Sequence, residues 1–244
     1  MSTLAKKQYL KNDNHIQRTS ICMDPIVTKE SHIIPLKILR TIAQTFSAII
    51  LDDALEDVVL FTLLLEDGAV VDSETFACAC SNGCTEIVRL LLGPEHGIDP
   101  SAHNNVALRN ACYYGHTEIV RLLLDLPLDR GVDPAAHFNA AFRAACYNKQ
   151  IEIVHMLLDL PLDRGVDPSA RDNEALQHAC SRAYSSGHTE IVRLLLALPL
   201  ERGVDPSARD NAAFMLARVY GCTENARLLL DLPLDRGVVD LERD

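Results

Sequence analysis

The sequence predicts an all-α fold, a solenoid of stacked helical hairpins. Three observations carry this: a long internal repeat, helical spacing of apolar residues in both halves of each copy, and glycine and proline at fixed offsets. Asp-Pro recurs at Asp99-Pro100, Asp133-Pro134, Asp167-Pro168 and Asp205-Pro206, with spacings of 34, 34 and 38 residues. The last spacing contains a four-residue insertion, which is visible where Ala111-Cys112-Tyr113-Tyr114-Gly115 is matched to Ala179-Cys180 through Gly187. A period in this range is the signature of a repeat architecture.

Each copy opens with Asn-x-Ala-Leu/Phe-x-x-Ala, at Asn105, Asn139, Asn173 and Asn211, and a shorter relative runs from Ser73 to Leu92. In the second of these five units, Leu108, Ala111 and Cys112 fall at i, i+3 and i+4, one face of a helix. Asn105 stands where a side-chain acceptor would cap that helix, and Gly115 supplies the left-handed residue that ends it. A second helix follows through Ile119, Val120, Leu122, Leu123 and Leu124 and should end near Leu126, because Pro127 restricts its predecessor. Glu118 favours the start of that helix and is expected to pair with Arg121 at i+3. The same pair recurs as Glu86–Arg89, Glu190–Arg193 and Glu224–Arg227. A unit of this size cannot bury two apolar faces alone, so neighbours must stack and end units need a polar outer face. Asn225-Ala226 in place of Ile-Val, and Arg218 in place of cysteine, predict that the last copy is such an end.

These residues carry a family resemblance. Gly115-His116-Thr117-Glu118-Ile119-Val120-Arg121-Leu122-Leu123-Leu124 and Gly165-Val166-Asp167-Pro168-Ser169-Ala170 resemble the second helix and the turn of the ankyrin repeat. The family's Thr-Pro-Leu-His opening is missing; Val106-Ala107-Leu108-Arg109 and Glu174-Ala175-Leu176-Gln177 stand there instead, in a divergent subtype with Asp-Asn-x-Ala-Leu. The resemblance implies an ankyrin-like helical-hairpin solenoid. The step from Asp167 to Leu176 is shorter than the family's, so the β-hairpin fingers should be short or missing.

Along the chain, residues 1–31 read as a flexible, polar segment and 32–67 as a helical N-terminal cap or degenerate repeat, with helices over 35–51 and 54–65. Residues 68–238 form the array of five units and 239–244 an acidic tail. Ile34 to Ile42 resembles the opening of an F-box, which would make the chain a ubiquitin-ligase substrate adaptor.

Net charge is −11. Residues 1–40 carry seven positive and three negative side chains, which leaves −15 on the remainder. Such a surface repels phosphates and excludes nucleic acid as the partner of the main body. The longest uncharged apolar stretch, Thr41 to Leu51, is too short to span a membrane. The first residues lack the apolar core of a secretory signal, so a cytoplasmic address is expected, with the nucleus open.

Chemistry has few footholds. Cys80, Cys112, Cys146 and Cys180 occupy one equivalent position in successive units. Packed helices lie about 8–10 Å apart, whereas a disulfide needs its two backbones within about 7 Å, so these are read as small buried thiols rather than bridges. Cys78-x-Cys80-x3-Cys84 lacks the second ligand pair of a zinc site. His116 and His188 give way to Cys84 and Cys222 in other copies, which suits helix entry and not catalysis. No nucleophile, metalloprotease, phosphate-loop or dinucleotide motif is present, so neither catalytic residue, metal nor cofactor is expected.

The expected function is protein binding by a monomer. Framework positions repeat, and positions that vary are free to serve a partner. On the first helices these are Arg109, Asn110, Tyr113 and Tyr114, then Arg143 and Tyr147, then Gln177, His178 and Arg182; in the preceding turns they are His137, Phe138 and Arg171. The resemblance would put them on the concave side of the array. Tyrosine and arginine are favoured at interface hot spots. Arginines and histidines within an acidic molecule make an acidic peptide the candidate partner.

Overall fold

The computed structural model describes residues 27–28, 62, 65, 69–161, 164–181, 186–199, 202 and 204–233. The chain divides into two compact units, Met1–Val70 and Val71–Asp244. In the first, strand β1 (Val27–Thr28) pairs antiparallel with β2 (Ala69–Val70), Val27 opposite Val70 and Thr28 opposite Ala69. Thr62 and Leu65 are helical. The other residues expected in helices over 35–51 and 54–65, the F-box-like stretch and the acidic tail lie outside the described residues.

The second unit is built from five helical hairpins. Their helices are α1 (Ser73–Asn82) and α2 (Thr85–Leu91), α3 (Ala102–Tyr114) and α4 (Thr117–Leu124), α5 (Ala136–Tyr147) and α6 (Ile151–Leu158), α7 (Ala170–Ser181) and α8 (Ser186–Ala197), α9 (Ala208–Val219) and α10 (Thr223–Leu230). First helices pack on first helices and second on second, forming two rows. The rows close over columns of equivalent side chains. Phe76, Leu108, Phe142, Leu176 and Phe214 are buried in one, Ile87, Ile119, Ile153 and Ile191 in another. Full burial of such a side chain contributes about 1.5–3 kcal/mol, so stacking supplies the stability that a single hairpin lacks.

The second to fifth hairpins are entered by the same device, whereas the first is capped by Asp72, whose side chain accepts from Thr75 N–H at 2.8 Å. Asp-Pro opens a β-turn, closed by Ala102 N–H to Asp99 O at 3.4 Å, and by Ala170 to Asp167 and Ala208 to Asp205 at 3.2 Å. Proline at the second position suits that turn. The aspartate side chain accepts from the backbone two residues on, Ser101 to Asp99 at 2.9 Å and Ser169 to Asp167 at 2.8 Å. Three consecutive residues then take the left-handed conformation: 103–105, 137–139, 171–173 and 209–211, all with φ between 52 and 62°. This left-handed turn replaces the projecting β-hairpin, as the shortened spacing predicts.

The asparagine that ends the turn does not cap its own helix, contrary to the expectation from sequence. Asn105 Oδ1 accepts from Asp133 N–H of the next unit at 3.0 Å, Asn139 from Asp167 at 2.8 Å, and Asn173 from Asp205 at 2.9 Å. Asn105, Asn139 and Asn173 are buried. One residue therefore ends a strained turn and ties its unit to the next.

The first helix ends on glycine where the chain requires it. Gly83 has φ +75°, and a Cβ there would lie 2.6 Å from the His116 ring. Lys149 takes the equivalent left-handed position in the third unit, with φ 52°. His116 reaches back to Ser81 O at 2.9 Å and His188 to Tyr147 O at 3.0 Å, while Cys222 Sγ donates to Cys180 O at 2.8 Å. This position tolerates histidine or cysteine because its task is a hydrogen bond to the preceding unit.

The Glu–Arg pairs are also corrected. Arg89, Arg121 and Arg193 meet the glutamate of the following unit, Glu118 at 2.5 Å, Glu152 at 3.5 Å and Glu224 at 2.6 Å. Only Glu86–Arg89, at 3.5 Å, also forms within its helix among the described residues, and Arg227 turns instead to Asp231. These pairs are exposed and each contributes about 0–1 kcal/mol. The arginine of the connecting loops is drawn inward: Arg130 donates to Leu92 O at 3.3 Å, Arg164 to Leu124 O at 3.1 Å and Arg202 to Leu158 O at 3.4 Å. Each satisfies the carbonyl end of the preceding unit's second helix.

The last hairpin departs from its expected role in one residue. Asn225 points inward, 2% exposed, with Nδ2 donating to Ala179 O at 3.4 Å. It is a buried polar substitution in the isoleucine column, not part of a polar outer face. Arg218 is exposed and lies 5.7 Å over the Phe214 ring.

Candidate functional site

The variable residues of the first-helix row separate into two sets, and backbone geometry decides which is which. A left-handed turn leaves carbonyls that the following right-handed helix does not use. Arg143 Nε donates to Phe138 O at 3.0 Å and its Nη2 to His137 O at 3.4 Å, while Nη1 binds Glu174 of the next unit. Gln177, at the equivalent position, donates from Nε2 to Asp172 O at 2.7 Å and is buried. Both residues hold the turns in place. Asn110 is similarly engaged, donating to Ser81 Oγ at 2.9 Å.

The second set forms a continuous network. The Tyr113 and Tyr147 rings of successive units stack with centroids 6.4 Å apart and planes at 23°. Tyr147 meets His178 of the next unit edge-on at 5.2 Å, and Tyr114 packs edge-on against Tyr113 at 4.9 Å. His178 Nε2 lies 3.5 Å from Glu174 Oε1, and Arg171 Nε 3.2 Å from Glu174 Oε2. Glu174 thus joins Arg143, Arg171 and His178 across two units. The hydrogen bond from His178, with the charges of Arg143 and Arg171, outweighs desolvation and holds its carboxyl down to about 2. The residues at its equivalent positions, Val106, Ala140 and Ala212, are apolar, so sequence comparison between copies flags Glu174 as an outlier that the variable-position reading missed.

Phe138 stands apart from this network, 64% exposed beside His137 on the third unit's left-handed turn, and Tyr114 is 49% exposed. Arg109 is partly exposed and Arg171 exposed. Arg182 and the insertion around it lie outside the described residues.

The cysteines lie elsewhere. Cys112, Cys146 and Cys180 are fully buried free thiols, and burial pushes their ionisation well above the ordinary range; the Cys80 thiol is pushed up to about 12. Thiols so protonated pack as small apolar groups. Among the described residues no three His, Cys, Asp or Glu side chains are grouped to hold a metal ion. Among the same residues no helix is long and apolar enough to cross a membrane.

Comparison with known families agrees with this architecture. Residues 54–137, 76–172 and 141–240 each match the family pattern described as ankyrin repeats (three copies). The chain belongs to the ankyrin-repeat family. No curated protein matches it. Ankyrin repeats generally mediate protein–protein interaction, and proteins built from them are typically non-enzymatic modules. Here the ankyrin hairpins are joined by left-handed turns, Asn-to-Asp bonds and inward arginines that recur in consecutive units.

Proposed function

We propose that this protein binds a partner polypeptide through the first-helix face of its ankyrin array. Tyr113, Tyr147 and His178 form the centre, with Tyr114, Phe138, His137, Arg109 and Arg171 around it. Arg143, Gln177 and Asn110 act beneath as positioning residues, and Arg182 is assigned to the same face on sequence alone. What supports the reading is the aromatic network itself. It crosses three units, and its rings fix one another in place, which lowers the ordering cost of binding. Tyrosine, histidine and arginine in such a patch combine contact area with directional bonds. Recognition by shape and charge requires no catalytic residue and no cofactor, and it requires only a monomer.

The test is affinity capture of a partner by wild type and by a Tyr113→Ala/Tyr147→Ala double variant, with circular dichroism confirming the fold of both. Loss of a saturable partner from the variant alone supports the face. Retention at unchanged affinity overturns it. The adaptor reading rests on the resemblance of 34–42 to an F-box and is separated by deleting residues 1–66: an adaptor loses one partner and keeps another. The acidic-peptide reading needs Arg109, Arg143 and Arg171 as available cations, and Glu174 already engages two of the three.

A further inference from the structure

One arginine of the first-helix row stands without the carboxylate that the fold gives its neighbour. Arg109, Arg143, Gln177 and Met215 occupy the same position in successive units. Arg143 is fully engaged: Nε and Nη2 donate to the turn carbonyls of Phe138 and His137, and Nη1 binds Glu174 of the next unit. Gln177 donates to Asp172 O. One unit back, the place in the register that Glu174 holds for Arg143 is taken, for Arg109, by Ala140. Arg109 is half-buried, and no hydrogen bond or ion pair reaches it among the described residues.

The charges beside it are positive, although the chain as a whole carries −11. Helices α3 and α5, which bear Arg109, Arg143 and the three tyrosines, contain no acidic residue. The one carboxylate of α4, Glu118, is held by Arg89, and that of α6, Glu152, by Arg121. Burial lowers the Arg143 pKa against the pull of Glu174, and the charges of Arg171 and Arg109 lower it further. Three guanidinium groups thus feel one another with a single carboxylate among them. Lys149, two residues beyond Tyr147, adds an exposed positive charge that has no ion pair among the described residues.

We infer that the partner segment is acidic, and that Arg109 receives one of its carboxylates in the manner in which Arg143 receives Glu174. The guanidinium presents a planar fork of donors that matches a carboxylate. Tyr113 follows Arg109 at i+4 and so shares its face of α3, where its hydroxyl can donate to the same group. This rests on the first-helix face proposed above and names the chemistry of its partner. Of the three arginines that the sequence offers to an acidic peptide, Glu174 engages two. Recognition therefore turns on Arg109.

The experiment titrates the full chain into fluorescein-labelled peptides of four Glu-Gly-Leu triplets, or of the same triplets with glutamine or lysine for glutamate, read by fluorescence polarisation. Salt at physiological strength screens charges beyond about 8 Å, so contacts at the face and not net charge decide the order. The glutamate peptide is expected to bind saturably and the other two at least about tenfold more weakly. Arg109→Gln, which places the residue native to the equivalent position 177, should weaken the glutamate peptide by about tenfold, the contribution of one charged hydrogen bond. Ala140→Glu grafts the carboxylate of position 174 one unit back and should weaken it as much, by occupying Arg109 from within. Arg121→Gln removes an equal charge from the second-helix side and should stay within about twofold of wild type; circular dichroism confirms the fold of each variant. Equal binding of the glutamine peptide, preference for the lysine peptide, or glutamate-peptide binding unchanged by Arg109→Gln overturns the inference. If a captured partner is lost by the double alanine variant yet held at full affinity by Arg109→Gln, the carboxylate inference falls and the binding face stands.

Discussion

Replacing Asn139 by alanine tests the inter-unit tie most sharply, because two separable contributions meet there. Asn139 Oδ1 accepts the Asp167 N–H at 2.8 Å, and Asn139 itself is 5% exposed with φ 58°. Removing the acceptor strands a partly buried donor, at a cost of about 1–3 kcal/mol. Alanine in the left-handed region costs about 1–2 kcal/mol more than a residue suited to it. Together the substitution should destabilise by about 2–5 kcal/mol. Asn139→Gly loses the bond but not the conformation, so it should be about 1 kcal/mol milder. Asn139→Asp keeps an acceptor and should stay within about 1 kcal/mol of wild type. Urea unfolding followed by far-ultraviolet circular dichroism gives the order. Hydrogen exchange at the Asp167 amide gives the local readout, which matters because repeat arrays need not unfold as one unit. Equal losses for alanine and glycine would remove the strain contribution. Unchanged protection of Asp167 in the alanine variant would refute the tie.

Three further outcomes follow from the geometry. Asn225→Ile restores the apolar column and removes a buried Oδ1 that has no hydrogen-bond partner among the described residues, so it should raise stability by about 1–2 kcal/mol in thermal or urea melts; a loss of stability would contradict the inward assignment. Glu174, depressed from 4.5 to about 2 by His178, Arg143 and Arg171, contributes stability that is present above its unfolded pKa and lost as pH falls through the folded one. Wild type should therefore lose more melting temperature than Glu174→Gln between about pH 5 and 2, and parallel profiles would refute the network. Cys112, Cys146 and Cys180, buried and held as thiols, should resist a disulfide reagent in native buffer and react on unfolding, whereas partly exposed Cys78 and Cys84 react first; equal native rates would show that the column is open.

Much of the fold could be read directly from residues. The Asp-Pro spacing announced the units, and Gly115 with Pro127 bounded α4 to within two residues of its end. The shortened approach from Asp167 to Leu176 foretold the missing fingers. What escaped depends on contacts one repeat away. Within a single helix Glu118 and Arg121 look like an i+3 pair, but stacking brings Arg121 to Glu152, 31 residues on. Asn105 looks like a cap until the left-handed turn aims its side chain at Asp133. Three successive left-handed residues such as His137, Phe138 and Asn139 carry no glycine to announce them. The candidate face was legible to the same depth. Variation between copies singled out Tyr113, Tyr147 and His178, which do come together. It equally singled out Arg143 and Gln177, whose work on the turn carbonyls is visible only once the turn is known, and it passed over Glu174.

Site-specific photo-cross-linking tests the binding face most directly. A benzophenone amino acid at Tyr114, Phe138 or Tyr147, on the first-helix side, is compared with the same residue at Arg121 or His155, exposed on the second helices. The account predicts adducts with one partner from the first three positions, abolished by excess unlabelled protein, and none from the other two. Adducts arising equally or only from the second-helix positions would contradict it.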